Sequence, residues 1–333
     1  MLPTANGNPQ IGHLIRRLET AERPILFGHE RPDGDALGAA LGLMWLLRAR
    51  GKKVTVSFAD PVPGNLRFLP GADEVGNLPV DSHDLIVALD GSDERRYGAH
   101  FSRALDDAQR PFLLAIDHHK TNTGFADLGW VDSEYAATAQ MVYALAKEAG
   151  WPIGEEAAIC LATGCVTDTN AFATNHTTPE VLVTVADLMR HGAPLADIIR
   201  ESLALRSVPD ALLWGRILAT AQIEEGVAWA LSRAADRATL NATDGDGSGI
   251  AGFLRNVRGV QVAIQFVEQR DGQTRLSIRS NPSTDVSELA LSLGGGGHAQ
   301  AAGATLDMPL DEAVAHVVPL AKQLVTGARV ADR

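Results

Sequence analysis

Four short runs of nearly unbroken apolar residues constrain what this chain can fold into: Ile25-Leu26-Phe27, Val54-Thr55-Val56-Ser57, Leu85 to Leu89 and Phe112 to Ile116. Strands with one face in water alternate apolar and polar residues, so unbroken runs predict strands buried on both faces. Helical patterns lie between and after them, at Ala36 to Arg50 (stopped by Gly51), Ala136 to Ala149 (stopped by Gly150), Gly154 to Cys165 and Pro179 to Arg190. This order predicts an α/β domain, a mainly parallel sheet flanked by helices on both sides.

The segment Ala193 to Gln222 is helical in pattern, broken by Pro194 and Pro209. A different rhythm follows. Val227 to Leu231, Val260 to Val267 and Thr274 to Ser280 read as strands, with turns at Gly245-Asp246-Gly247-Ser248-Gly249 and Asp271-Gly272. The chain of 333 residues has room for two domains. The expected division is a first domain at 1–192, a helical linker at 193–216 and a smaller α+β domain at 217–333.

Every apolar run but the second leads into chemistry. His29, Asp33 and Asp35 follow the first, Asp90 the third, and Asp117-His118-His119 the fourth. In open parallel sheets ligands bind beyond the carboxyl ends of the strands. Asp168 closes a later helical stretch, Thr163-Gly164-Cys165-Val166-Thr167-Asp168. Asp33 or Asp35 taken alone reads equally as a helix N-cap. Together Asp33, Asp35, Asp90 and Asp168 would repel one another unless cations sat among them, and two divalent ions cancel four charges. Carboxylates with a minority of imidazole suit Mn²⁺ or Mg²⁺, and such pairs of ions support phosphoester hydrolysis.

The formal net charge of −12 makes the chain a poor candidate for holding long nucleic acid by general electrostatics. The five tryptophans are scattered rather than interleaved with basic residues, so a stacking platform for long single strands is not indicated. His83, His100, His176 and His191 read as surface or structural. Met1 to Gln10 is polar, no apolar run approaches the roughly 18 residues of a membrane span, and a cytoplasmic protein is expected. Cys160 and Cys165, at i and i+5 of a helical pattern, face different ways and read as two buried thiols.

The motifs His29-x-x-x-Asp33-x-Asp35, Asp90, Asp117-His118-His119 and Thr163-Gly164-x-x-x-Asp168 together resemble those of the DHH phosphoesterase superfamily. Arg279-Ser280 and Gly294-Gly295-Gly296-Gly297-His298-x-x-Ala301-Ala302-Gly303 resemble the glycine-rich signature of its DHH-associated C-terminal domain. The two-domain form is similar to the NrnA-type enzymes, which act on very short oligoribonucleotides and on 3'-phosphoadenosine-5'-phosphate. The resemblance implies one metal ion held by His29, Asp33 and Asp90, and a second by Asp35, Asp90, His118 and Asp168. His119 would face the scissile phosphate and Asp117 would orient a histidine. It also implies substrate-binding roles for Arg279, Ser280, Gly295, Gly296, Gly297 and His298, an active site in the interdomain cleft, and a homodimer. Cyclic-dinucleotide hydrolysis, RecJ-like exonuclease activity on single strands and non-catalytic nucleotide binding are the competing expectations.

Overall fold

The computed structural model describes residues 9–242 and 246–331. Of the sequence-based expectations, the polar stretch Met1 to Asn8 and Gly245 of the glycine-rich turn lie outside these. The chain divides into two compact units that meet in sequence at Leu205 and Arg206.

In the first unit, α1 (Pro9–Thr20) leads into β1 (Pro24–Gly28), α2 (Gly34–Arg48), β2 (Thr55–Ser57), β3 (Leu85–Leu89), α3 (Ala99–Leu105), β4 (Phe112–Asp117) and β5 (Leu128–Val131). Four helices follow: α4 (Thr138–Glu148), α5 (Glu155–Asp168), α6 (Pro179–Arg190) and α7 (Leu195–Ile199), the last running into a π turn at Arg200–Ala204. The five strands form one sheet in the order β2-β1-β3-β4-β5, every neighbouring pair parallel. The chain leaves β1 first to one side and then to the other, so β1 and β3 flank a topological switch point, where open α/β sheets place ligands.

Both faces of the sheet are buried, as the unbroken apolar runs require. Leu26, Val87, Leu114 and Ile116 pack with α1, α2, α4 and α5 on one side. Ile25, Phe27, Ile86, Ala88 and Leu113 pack against Tyr97 and Phe101 on the other. Helices α2 and α5 approach unusually closely, because Gly38 has no side chain to hold them apart. A β-carbon there would stand 2.5 Å from the carbonyl oxygen of Cys160 and 2.9 Å from the nitrogen of Gly164. Cys160 and Cys165 are buried free thiols, and burial pushes both well above the usual thiol range.

The second unit comprises α8 (Val208–Ala219), β6 (Gln222–Glu224), β7 (Val227–Ser232), α9 (Ala234–Thr239), α10 (Ile250–Arg255), β8 (Val262–Glu268), β9 (Thr274–Ser280), α11 (Ser287–Ser292), β10 (Gly296–His298), β11 (Ala301–Leu306) and α12 (Leu310–Ala331). Its sheet has the order β10-β11-β9-β8-β7-β6 and is antiparallel except between β7 and β8. Residues of α11 and α12 share a core with one face. Residues of α8 and α10 share a second core with Ala228, Ala230 and Ala263 on the other.

Several elements differ from expectation. Helices α1 and α3 and strand β5 were not anticipated. Gln222, expected at the end of a helical stretch, begins β6. The glycine run expected as a binding loop contributes β10, which forms a hairpin with β11.

Candidate metal centre

The end of β1 and the start of α2 form one tight connection. Asp33 is the N-cap of α2, its Oδ1 accepting from the backbone N–H groups of Asp35 (3.1 Å) and Ala36 (3.0 Å). Its Oδ2 stays free of the cap and stands 3.5 Å from His29 Nε2. The cap therefore uses one oxygen of Asp33 and leaves the other facing His29. His29 Nδ1 lies 2.8 Å from the Glu30 carbonyl. A carbonyl only accepts, so Nδ1 carries a proton, and Nε2, the nitrogen that faces Asp33 and Asp90, is the one that could offer a lone pair to a cation.

Asp90 follows β3 with φ of +59°, a left-handed conformation that Asp tolerates better than most residues. Its Oδ2 is 3.6 Å from His29 Nε2 and its Oδ1 is 3.5 Å from His118 Nε2. His118 Nε2 is also 3.4 Å from Asp168 Oδ2 and 3.9 Å from Asp35 Oδ2. Asp168 is the last residue of α5, and the chain then makes a left-handed turn through Asn170, Ala171 and Phe172. The hydroxyl of Thr169 ties that turn down, donating to the Cys165 carbonyl and accepting from the Phe172 N–H.

Among the described residues, three groups of side chains offer ligand atoms within 4.8 Å of one another: His29, Asp33 and Asp90; Asp35, His118 and Asp168; and Asp90, His118 and His119. Residues 24–165 match the DHH family N-terminal domain and residues 227–327 match the DHHA1 domain. The chain is 37% identical over 317 residues to the bifunctional oligoribonuclease and PAP phosphatase NrnA of Thermus thermophilus, with 93% of each chain covered. The chain belongs to the DHH family. It is also 29% identical over 300 residues to the Bacillus subtilis protein of that name, covering 88% of this chain and 92% of that one. The fold of an exopolyphosphatase-related protein from Bacteroides fragilis matches with a TM-score of 0.88 at 24% identity, covering 95% and 97% of the two chains.

The donor set of this DHH domain fits divalent cations. Burial pushes Asp168 up to about 8, helped by the negative charges of Asp90 and Asp33. Burial and then Asp90 and Asp168 hold Asp35 well above the usual carboxylate range. Burial works against a charged His29, yet hydrogen bonds to Asp33 and Asp90 raise it to about 10. Burial, the largest influence, lowers His118 below the ordinary imidazole value against the opposing charge of Asp90. Left to themselves these groups hold protons in order to coexist, and a cation can take the protons' place.

Asp117 and His119 form a unit beside the clusters. His119 Nδ1 lies 2.7 Å from Asp117 Oδ1, and the other carboxylate oxygen accepts from Asn122 Nδ2 at 2.7 Å. The bond to Asp117 raises His119 above the ordinary imidazole value despite burial. With Nδ1 engaged, Nε2 is the nitrogen left for another partner.

In the second unit the alternation of β9 holds. Arg275, Ser277 and Arg279 share one face, with Leu276 and Ile278 buried on the other. Arg279, Ala301 and His298 are in register across β9, β11 and β10, and residues directly opposite share a face. Arg279 is half-buried, and among the described residues no carboxylate pairs with it. Burial first, and then the positive charge of Arg255 at the end of α10, lower its pKa.

Ser280 does not fit the substrate-binding role expected of it. It lies on the opposite face from Arg279, fully buried, and its hydroxyl is bonded to the carbonyl oxygens of Thr284 (2.5 Å) and Ala299 (3.2 Å). Gly295 and Gly297 have a packing reason to be glycine. A β-carbon on Gly295 would stand 2.1 Å from the Gly303 carbonyl oxygen, and one on Gly297 would stand 2.5 Å from that of Ala301. Only Gly296 of the three faces open space.

Sequence reasoning missed Thr138, whose hydroxyl donates to Asp90 Oδ1 at 3.0 Å, and also Asn122 and Arg255. Asn122 has a local signal, five residues beyond Asp117. Thr138 and Arg255 reach their partners only through the tertiary fold.

Proposed function

We propose that this protein is a metal-dependent phosphoesterase that hydrolyses short oligonucleotides to mononucleotides and 3'-phosphoadenosine-5'-phosphate to AMP. The observation that carries the reading is Asp90, whose two oxygens face two separate donor groups, His29 with Asp33 and His118 with Asp35 and Asp168. That arrangement suits two divalent ions sharing one carboxylate, with Mn²⁺ first by donor chemistry. Such ions, when bound, supply Lewis-acid activation of the attacking water and of the phosphoryl oxygens.

The chain's own residues do the rest. Asp117 fixes the ring of His119, so that Nε2 can hydrogen-bond the scissile phosphate or the leaving oxygen. Arg279, half-buried with no acidic partner among the described residues, receives a phosphate of the substrate, and His298 and Gly296 line the same sheet face. The names of the Thermus thermophilus and Bacillus subtilis relatives support both substrate classes. The acidic chain favours short substrates over long strands.

The test is release of mononucleotide from a 5'-phosphorylated dinucleotide by purified protein with Mn²⁺, beside 3'-phosphoadenosine-5'-phosphate, a cyclic dinucleotide and a twenty-nucleotide strand. Asp90→Ala serves as the blank. No product from the dinucleotide, or a preference for the long strand, overturns the proposal.

A further inference from the structure

Thr138 is the first residue of α4, and its side chain is wholly buried. The residue that should cap this helix, Ala137, has no side-chain acceptor. Asp35, far earlier in the sequence, takes its place. Asp35 Oδ2 accepts from the Thr138 N–H at 2.6 Å and Oδ1 from the Ala139 N–H at 2.8 Å. The hydroxyl of Thr138 donates to Asp90 Oδ1 at 3.0 Å. One buried residue thus holds a carboxylate from the β1–α2 connection and another from the end of β3.

The oxygens it holds are not a random pair. Asp90 Oδ1 is the oxygen 3.5 Å from His118 Nε2, whereas Oδ2 is the one turned to His29. Asp35 Oδ2 is likewise the oxygen near His118. Both Thr138 bonds therefore fall on the half of the centre formed by Asp35, His118 and Asp168. The half formed by His29 and Asp33 is oriented by local means, the Glu30 carbonyl and the N-terminus of α2.

We propose that Thr138 is a positioning residue for one of two metal sites only, fixing the lone pairs of Asp90 Oδ1 and Asp35 Oδ2 toward the cation held with His118 and Asp168. Partners that stand behind ligands in this way are commonly worth about 10- to 100-fold in metal affinity. The inference rests on the two-metal reading above.

The experiment is calorimetric titration of Mn²⁺ into metal-free wild type, Thr138→Val, Thr138→Ser and Thr138→Ala. Val keeps the shape and the backbone N–H but removes the donor, Ser keeps the donor, and Ala replaces Val should that variant not fold. Wild type and Thr138→Ser are expected to bind two ions. Thr138→Val or Thr138→Ala should bind one with unchanged affinity and the other about 10- to 100-fold more weakly, with turnover restored by excess Mn²⁺. Two ions bound by Val or Ala as in wild type, or both sites weakened equally, overturn the inference. Wild type that binds fewer than two ions overturns the two-metal reading itself, which keeps the two failures distinct.

Discussion

Gly164 of α5 lies directly against Asp35 of α2: a β-carbon on Gly164 would stand 2.7 Å from Asp35 Oδ1 and 2.4 Å from Ala139 Cβ. Asp35 has no room to retreat, since both its oxygens are held by the first N–H groups of α4. Gly164→Ala must therefore shift either the carboxylate or the helix terminus that binds it. The expected cost is about 1–3 kcal/mol in stability, as for overpacking elsewhere, read by denaturant unfolding. If Asp35 holds a cation, as proposed, turnover should fall by roughly tenfold or more. A variant with wild-type stability and activity would show that the contact yields freely.

The Asp117–His119 pair separates two roles for His119. If its Nε2 serves the substrate, Asp117→Asn should lower kcat by roughly 10- to 100-fold and leave Mn²⁺ affinity unchanged. His119 sits also in the group with Asp90 and His118, so a ligand role predicts that affinity falls instead. In the metal-free protein the His119 titration, followed by NMR, should move to lower pH in Asp117→Asn, because the bond to Asp117 is the main influence raising it.

The metal-free centre should lose stability as pH rises. Asp168 is pushed up to about 8 by burial and neighbouring charge, whereas an unfolded aspartate titrates near 3.9. The folded chain then binds this proton more tightly than the unfolded one, so the unfolding free energy falls across the window from about 4 to about 8. Held above the usual carboxylate range, the folded, metal-free Asp168 keeps its proton near neutral pH, and a Mn²⁺ ion that takes it as a ligand would have to expel that proton. Calorimetry in two buffers of different ionisation enthalpy should give different apparent heats, from which proton release follows. Equal heats would show that Asp168 is already ionised or not displaced. Mn²⁺ at a hundred times its dissociation constant should stabilise the fold by about 2.7 kcal/mol per site, and a chelator should remove that gain.

The parallel sheet was legible because Leu85 to Leu89 and its fellows cannot be half-exposed strands, and the placing of His29, Asp90 and His118 at strand ends followed from the same pattern. Strand β5 escaped because Leu128-Gly129-Trp130-Val131 carries a glycine and is only partly buried. The hairpin of β10 and β11 escaped because Gly294 to Gly297 has no side-chain pattern to read, and its strand character comes from pairing with Ala301 to Gly303. Ser280 came only from the resemblance; adjacent to Arg279 on a strand, it faces the other way, into the core. Thr138 could not be found from sequence at all, since its partners Asp35 and Asp90 meet it only when α4 packs on the sheet with its first residues near the carboxyl ends of the strands.

Arg279 and Arg255 bring the last expectation. Helix α10 packs against β9, the charge of Arg255 bears on Arg279, and no carboxylate pairs with either among the described residues. Two guanidinium groups left without a counter-ion suit a dianionic phosphate monoester better than a singly charged diester, since each can fork onto separate oxygens. Arg279→Ala should raise KM for a 5'-phosphorylated dinucleotide by about tenfold or more, the worth of one or two charged hydrogen bonds, with a smaller effect on kcat. Arg255→Ala should raise it less, and mainly for substrates that carry the terminal phosphate. The check is the KM ratio between 5'-phosphorylated and 5'-hydroxyl dinucleotides in wild type and both variants. If Arg255→Ala raises both values equally, its charge serves the sheet face in general, and the terminal phosphate is recognised by Arg279 without it.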